Sequence, residues 1–432
     1  MVRKSSHALR RRLASPLTLA LALAAGGVLG GAALSAPAYA KAKKDKEKSN
    51  EDKNSKAFAE AYEPYAAIVN AETGDFAAAK AMIPAVSATV ETDQDRYVMG
   101  NSLVALGGKL KDTGVQKQGL EMILASGKAP AEQLGLYNYY LARFAVADKD
   151  WVKARQYYQA SVDAGYTDGL PDVLLADTYF NNNEVPQGLT YLSGLLDKRT
   201  AAGQKNDESW ILRGLKVALD AKMTDAVYEY AKRLVANDAT PKNWQIALQT
   251  VQQVGQLDPQ ASLDLLRLMR ATGSMKEPYE FKEYVTTASQ SGLPAEVVSV
   301  LGEGKQAGVF QADDAFYKDN LAEAEPRAAG DRKDVPASVG EARSAATGKT
   351  ALGNANAFLS FGDYAAAEDM FKTALDKGVN DRQQALLRLG MAQVLQGKYD
   401  EGTATLGQVA GGSAPVAQMW MTYAATKKSA GA

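Results

Sequence analysis

The sequence predicts an all-α protein built from repeated pairs of short helices, and three observations lead to this prediction. From Phe58 onward, apolar residues recur at spacings of three and four, as they do along one face of a helix. Turns that contain Gly, Asn, Asp or Pro interrupt these stretches, and no sustained alternation of apolar and polar residues indicates a sheet. The sequence also aligns with itself at offsets of 34 and 35 residues, which is the period expected of a repeat array.

The N-terminal segment, residues 1–40, has the three parts of a cleavable secretory signal peptide. A basic region that contains Arg10, Arg11 and Arg12 precedes an apolar, small-residue-rich run, and Ala38-Tyr39-Ala40 supplies a cleavage pattern. We therefore expect export to the periplasm or the medium of a Gram-negative bacterium. The alternative is a retained membrane anchor.

Residues 41–56 follow as a charged stretch without large apolar residues, which predicts a disordered tether. Removal of the leader takes away five basic residues, so 49 − 5 = 44 basic residues oppose 50 acidic ones, a net charge of −6. An acidic chain is a poor nucleic-acid binder, because such binding neutralises phosphates. Beyond the leader, the sequence contains no apolar run long enough to form an integral membrane segment.

The composition excludes several kinds of chemistry. The chain contains no Cys, and its single His, His7, lies in the predicted leader. The mature chain therefore has no thiol nucleophile, no imidazole base, no disulfide and no Cys/His zinc site. Carboxylates, Lys, Tyr and Ser remain as catalytic options.

Two stretches show the repeat most clearly. Trp151 and Val185 occupy the same place in successive helix pairs, 34 residues apart, and Tyr364 and Tyr399 do so 35 residues apart. Small residues stand where the two helices of a pair would cross, at Ala142, Ala154, Ala176, Gly188, Ala367, Gly390 and Gly402. Large residues occur one turn or more into the second helix, at Tyr158, Leu192, Phe371 and Leu406.

This pattern resembles the tetratricopeptide repeat (TPR) family, in which small residues let two helix axes approach and large ones fill the gap to the next repeat. The resemblance implies a right-handed α-solenoid, with TPR-like repeats over residues 57–303 and again, with a final capping helix, over residues 351–428. Residues 304–350 match the pattern poorly, and we interpret them as an irregular repeat or a hinge.

Four short motifs imitate active sites. Thr347-Gly348-Lys349-Thr350 ends like a phosphate-binding loop but lacks its first glycine, and the glycines after Val297–Leu301 imitate a dinucleotide fingerprint without its strands. Glu208-Ser209 imitates a catalytic carboxylate, and Asp313-Asp314 imitates a cation site. We interpret both as helix starts, the first of them near Asp207. We expect none of them to bind a cofactor or a metal.

The first helices of a TPR-like array line its concave face. Helical spacing places Tyr139 and Arg143 on that face in one unit, and Asp177, Phe180 and Asn181 in the next. Aromatic, charged and amide side chains together suit an extended peptide. The alternative is that the two rings only pack and that Arg143 pairs with Asp177 inside the protein.

The sequence as a whole predicts a non-enzymatic periplasmic scaffold or adaptor that binds a protein or peptide partner. A second interpretation is a polysaccharide-binding component of an envelope synthesis or export system, since exposed aromatic rings stack on sugars. A third is a carboxylate-based cell-wall hydrolase.

Overall fold

A computed structural model of the protein describes residues 53–431. The predicted leader, His7 and most of the predicted tether lie outside the described residues. Within residues 53–431 the chain forms 21 α-helices and one short 3-10 helix, Gly411–Ser413, and no strand. The predicted all-α fold class is therefore confirmed. No helix in this described part is long and apolar enough to cross a membrane.

The chain divides into two compact units, which meet in sequence between Tyr191 and Leu192. The helices that begin in unit 1 are α1 (Lys56–Asn70), α2 (Phe76–Ser87), α3 (Asp93–Leu110), α4 (Thr113–Ala125), α5 (Ala131–Ala147), α6 (Trp151–Asp163), α7 (Pro171–Asn181) and α8 (Val185–Ala201). The last of these continues into unit 2.

Unit 2 holds thirteen further helices among the described residues. They are α9 (Glu208–Asp220), α10 (Thr224–Asn237), α11 (Pro241–Gly255), α12 (Pro259–Ala271), α13 (Pro278–Gln290), α14 (Pro294–Gln306), α15 (Ala315–Ala337), α16 (Val339–Ser344), α17 (Lys349–Phe361), α18 (Tyr364–Lys377), α19 (Arg382–Leu395), α20 (Tyr399–Leu406) and α21 (Ala414–Ala430).

Side-chain caps determine where many of these helices begin. Asp75, Asp112 and Asp150 each accept hydrogen bonds from backbone amides of the turn that follows, which satisfies donors left free at a helix start. Thr92 and Asp95 form a complete capping box at α3. The start of α1 at Lys56, capped by Ser55, shows that the last residues of the predicted tether enter unit 1.

The predicted helix crossings are present. All seven small residues at the crossing positions are buried, and the second-helix residues Tyr158, Leu192, Phe371 and Leu406 are at most 1% exposed. A Cβ added to Gly402 would lie 3.1 Å from the carbonyl oxygen of Gly390, so only very small residues allow the backbones of α19 and α20 to approach this closely.

The four bulky residues at the start of second helices are also where the sequence predicts them. Trp151, Val185, Tyr364 and Tyr399 are the first residues of α6, α8, α18 and α20. Consecutive helices pack as pairs within each unit, for example α3 on α4, α5 on α6, α17 on α18 and α19 on α20.

The irregular segment 304–350 contains one long and one short helix. The long helix α15 has 23 residues with Pro326 and Pro336 inside it, and it packs against α14 and α17. The short helix α16 has six residues and precedes α17. This arrangement interrupts the regular alternation of two helices of similar length.

Unit 2 folds back on itself through its C-terminal helix. Helix α21 packs against α10, α11 and α12 and also against α19 and α20, and it buries Trp420 completely. The Trp420 indole Nε1 donates a hydrogen bond of 3.1 Å to the backbone oxygen of Asp264. The helix predicted as a cap is therefore a packing element of unit 2.

Helices α12 and α19 form the centre of unit 2. Both are buried on nearly every side: in α19 all ten residues from Ala385 to Val394 are buried, and α12 buries Leu263, Leu265, Leu266 and Leu268 completely. Helices buried on nearly every side need partners on every side, and α21 and the neighbouring pairs supply them.

Candidate functional site

The predicted groove residues lie on α5 and α7 of unit 1. Arg143 is half-buried, and its Nη1 donates a hydrogen bond of 3.0 Å to the hydroxyl of Tyr139, one helical turn earlier. The guanidinium also lies 5.8 Å from the centre of the Tyr139 ring. Arg143 is therefore held by its neighbour on the same helix and presents a fixed positive charge at the side of α5.

Tyr139 lies at the centre of a cluster of tyrosine rings. It is 8% exposed, and its ring centre lies 5.7, 6.1 and 5.4 Å from those of Tyr140, Tyr158 and Tyr166. A Cβ on Gly169, whose φ is +74°, would lie 2.4 Å from the Tyr139 hydroxyl, so the turn before α7 closes over this ring only because that residue is glycine. Tyr139 therefore contributes most of its surface to packing.

Two tyrosines of this region, Tyr158 and Tyr191, are held in their neutral form by a raised pKa. Burial raises the pKa of Tyr158 far above its ordinary value, and the nearby charge of Arg143 lowers it only in part. Burial also raises the pKa of Tyr191 to about 12. These hydroxyls can donate and accept hydrogen bonds at neutral pH, but they cannot serve as proton acceptors in the phenolate form.

Asp177 joins the two residues of α5 around Tyr158. Asp177, Arg143 and Tyr139 all lie near enough to Tyr158 to influence its pKa electrostatically, and Asp177 is half-buried. The structure thus brings three of the five predicted groove residues together, one positive, one negative and one aromatic.

Phe180 and Asn181 lie at the C-terminal end of α7. A Cβ on Gly188 would lie 2.5 Å from the Phe180 ring, so this ring fills the crossing of α7 and α8. Asn181 is exposed, and its side-chain amide donates to the backbone oxygen of Asp177 at 2.8 Å. Phe180 is held by packing, whereas Asn181 retains an exposed acceptor.

Three apolar residues beside the predicted ones were missed by sequence reasoning. Tyr140 and Leu174 are half-buried on α5 and α7, three residues before Arg143 and Asp177, and Leu170 is 44% exposed at the start of α7. Tyr140 stands three residues before Arg143, and Leu174 and Leu170 stand three and seven residues before Asp177, so helical spacings of three and seven from the two charged residues would have found them. We call Tyr140, Arg143, Leu170, Leu174 and Asp177 the α5–α7 stripe.

The stripe stands on a rigid support from the second helices. The guanidinium of Arg155 on α6 lies 3.6 Å from the ring centre of Tyr179 and pairs with Glu184 at 2.7 Å. These contacts tie α6 to α7 and to the turn that follows it. They therefore fix the position of α7, the helix that carries Leu174 and Asp177.

The four motifs that imitate active sites have structural roles. Gly348 precedes α17, and a Cβ there would lie 2.3 Å from the backbone oxygen of Ala374, so the glycine permits close helix packing. Asp207 and Asp314 are N-caps of α9 and α15. Val297 and Leu301 are buried on the second helix of their pair. The helix-start interpretation of Glu208-Ser209 and Asp313-Asp314 is confirmed.

No protein-family model matches the sequence, and no curated protein matches it. The chain is similar to the Naa15/Naa10 complex bound to HypK-THB, with 12% identity, 89% of this chain and 69% of that chain covered, and a TM-score of 0.30. It is also similar to the P58(IPK) TPR domain, with 12% identity, coverage of 86% and 99%, and a TM-score of 0.24.

The helices themselves define the fold. Pairs of short helices, small buried residues at their crossings and bulky residues opening each second helix recur at the spacing found in the sequence. The protein is a helical-repeat protein whose pairs are TPR-like.

Proposed function

We propose that the protein is a non-catalytic scaffold that binds an extended peptide segment of a protein partner along the α5–α7 stripe. The observation that carries this proposal is the combination of half-exposed apolar side chains with one fixed positive and one negative charge on adjacent first helices. Apolar groups supply contact area, and the two charges fix the register and direction of the bound chain.

The position of the two charges favours a peptide that carries both a positive and a negative side chain. Arg143 and Asp177 lie at matching places one repeat apart, so a partner with an acidic and a basic residue at a similar separation would meet both. The half-buried Tyr140 and Leu174 and the exposed Leu170 beside them suit an apolar residue between the two charges.

Capture from the native cell envelope tests the proposal. The tagged full-length protein is expected to retain a protein partner, and the charge reversals Arg143→Glu and Asp177→Lys are each expected to weaken retention. Arg327→Glu changes an exposed pair on α15 and is the matched control. Equal retention by all variants would contradict the proposal.

We further propose export to the periplasm, with cleavage after Ala40. The support is the basic, apolar and small-residue pattern of residues 1–40. N-terminal sequencing of the protein from its native host is expected to begin at Lys41 in the periplasmic fraction. An intact N-terminus in the membrane fraction would show an anchor instead.

A further inference from the structure

Unit 2 contains a cavity with a polar floor, at the place where α12, α13 and α14 meet α17, α18 and α19. Its volume is about 360 Å³, which lies within the range of small-molecule pockets, about 300–1,000 Å³. The cavity lies inside unit 2, and its interpretation is independent of the peptide-binding stripe of unit 1.

Three buried side chains make up the floor. Arg267 donates from Nε and Nη2 to the two carboxylate oxygens of Glu296, at 2.8 and 2.7 Å, and the Tyr284 hydroxyl donates to the same carboxylate. Arg267 and Glu296 are 6% and 3% exposed. Behind them Asp264 accepts from both Arg267 and Arg388. Such a network fixes every member in place.

The rim of the cavity holds a second arginine–glutamate pair, which is more exposed than the pair in the floor. Arg270 donates from Nε to both carboxylate oxygens of Glu303, at 3.0 Å each, and from Nη2 to Ser299. The side chains of Arg270 and Glu303 are 31% and 42% exposed. This pair is accessible to a ligand, whereas the floor pair is accessible only from inside the cavity.

The charges of floor, rim and network balance. Three arginines, at 267, 270 and 388, face three carboxylates, at 264, 296 and 303. A ligand with a net charge would have to break one of these pairs and leave its partner uncompensated in a poorly solvated place, which is costly. An uncharged ligand leaves all the pairs intact.

The remaining wall is apolar with an aromatic edge. Leu359, Met391 and Leu395 line it, and Tyr364 at the start of α18 is half-buried beside them. A ligand that fits both walls therefore has one face of C–H groups and an edge rich in hydrogen-bonding groups. Pyranose rings have this division, because their hydroxyls project from the edge and their C–H groups form the faces.

We propose that this cavity binds a small, uncharged, hydroxyl-rich ligand of one or two sugar rings. The hydroxyls bond to the Arg270–Glu303 pair and to the floor, and one ring face packs on the wall formed by Tyr364, Met391 and Leu395. A zwitterionic amino acid could engage both charges of the rim, but only by separating Arg270 from Glu303.

Calorimetric titration of the full chain tests the assignment with named probes: glucose, cellobiose and maltose as neutral sugars, glycine as a zwitterion and inorganic phosphate as an anion. We expect saturable binding of at least one sugar and none of glycine or phosphate. Leu395→Trp fills the cavity and Tyr364→Ala removes the aromatic edge, and each is expected to weaken sugar binding about tenfold or more.

Glu323→Gln is the matched control, because it removes a carboxylate from an exposed pair outside the cavity and should bind sugar as the parent does. Circular dichroism shows which variants remain folded, and Tyr364→Ala changes only a half-buried residue at a helix start. Three results would overturn the proposal: no saturable sugar binding, binding of glycine or phosphate instead, or sugar binding unchanged in both cavity variants.

Discussion

A few buried charged side chains contribute strongly to the stability of unit 2. Asp264 is fully buried and accepts hydrogen bonds from Arg267 at 2.6 Å and Arg388 at 3.0 Å. Arg388 also donates to Gln260 at 2.7 Å. Because these groups are withdrawn from water, removing one leaves the others uncompensated, and the cost greatly exceeds that of an exposed pair.

Asp264→Ala is accordingly expected to lower the free energy of unfolding of unit 2 by about 3–5 kcal/mol. Asp369→Ala removes an exposed partner of Arg343 and should cost at most about 1 kcal/mol. Urea unfolding monitored by tryptophan fluorescence measures both. Equal losses in the two variants would mean that burial of the Asp264 network is not what stabilises it.

The hydrogen bonds around Glu368 predict that the folded protein loses stability in acid. Burial alone would raise the pKa of this carboxyl, but hydrogen bonds from Lys372, Lys398, Gln396 and Gln393 outweigh it and lower the pKa to about 2. Since the folded-state pKa lies below the ordinary 4.5, the ionised group contributes stability above pH 4.5, and this contribution is lost as the pH falls from 4.5 towards 2. Glu368→Gln should flatten the loss of stability in that window.

Urea midpoints at several pH values between 2 and 6 test this expectation, with Glu323→Gln as the control. A parallel acid response in the parent and in Glu368→Gln would show that other carboxylates determine it.

At some helix crossings only glycine fits, so we expect substitution there to destabilise the helix pair. A Cβ on Gly119 would lie 2.6 Å from the backbone oxygen of Gly100 and 2.7 Å from the backbone nitrogen of Val104. Backbone atoms cannot rotate away as side chains do, so Gly119→Ala should force α3 and α4 apart and cost about 1–3 kcal/mol.

Gly108→Ala is the comparison within the same helix pair, because its nearest neighbour is a flexible glutamine side chain at 3.6 Å. It should be neutral or slightly stabilising, since alanine favours helix more than glycine. Thermal unfolding followed by circular dichroism separates the two, and similar shifts in both variants would rule out the close crossing as the cause.

At the level of helices, sequence periodicity predicted the pairs but not how unit 2 closes. The small residues at crossings and the bulky residues Trp151, Val185, Tyr364 and Tyr399 were assigned correctly, because local spacing determines them. Consecutive apolar residues such as Leu265-Leu266 and Leu386-Leu387 indicate helices buried on several sides, yet they do not specify which distant helix covers them. In the candidate site, sequence spacing selected Tyr139, four residues before Arg143, and passed over Tyr140, because helical spacing alone does not show which of two adjacent rings is more exposed.

Helix α21 is expected to be essential for unit 2. Trp420→Ala removes a fully buried ring and should cost about 3–5 kcal/mol, whereas Lys428→Ala affects only an exposed pair with Asp400 and should cost at most about 1 kcal/mol. Hydrogen exchange of α10–α12 measures the effect, because these helices pack on α21. Unchanged protection there in Trp420→Ala would contradict the assigned role.

At the scale of the molecule, the two units differ in how far apart in sequence their contacting residues lie. Among the described residues of unit 1, hydrogen bonds join residues such as Ser55 and Asp95, 40 apart in the sequence. In unit 2 they reach 124 residues between Asp264 and Arg388 and 186 between Lys232 and Gln418. Distant contacts form slowly, since the intervening chain must first lose its freedom.

We therefore expect unit 1 to fold before unit 2. In pulse-labelled hydrogen exchange during refolding, amides of α3–α6 should become protected earlier than those of α12 and α19. Simultaneous protection would show that distant contacts do not limit the rate in unit 2.

The return of α21 to α12 also has a consequence for synthesis on the ribosome. Trp420 is added 156 residues after Asp264, whose backbone oxygen it meets in the folded protein. At about 5–20 residues per second, the apolar surface of α12 waits about 8–31 seconds for its covering helix. During that interval the nascent chain cannot complete unit 2, so a holding chaperone that binds the apolar residues of α12 would protect them from aggregation and keep the chain unfolded for the proposed export.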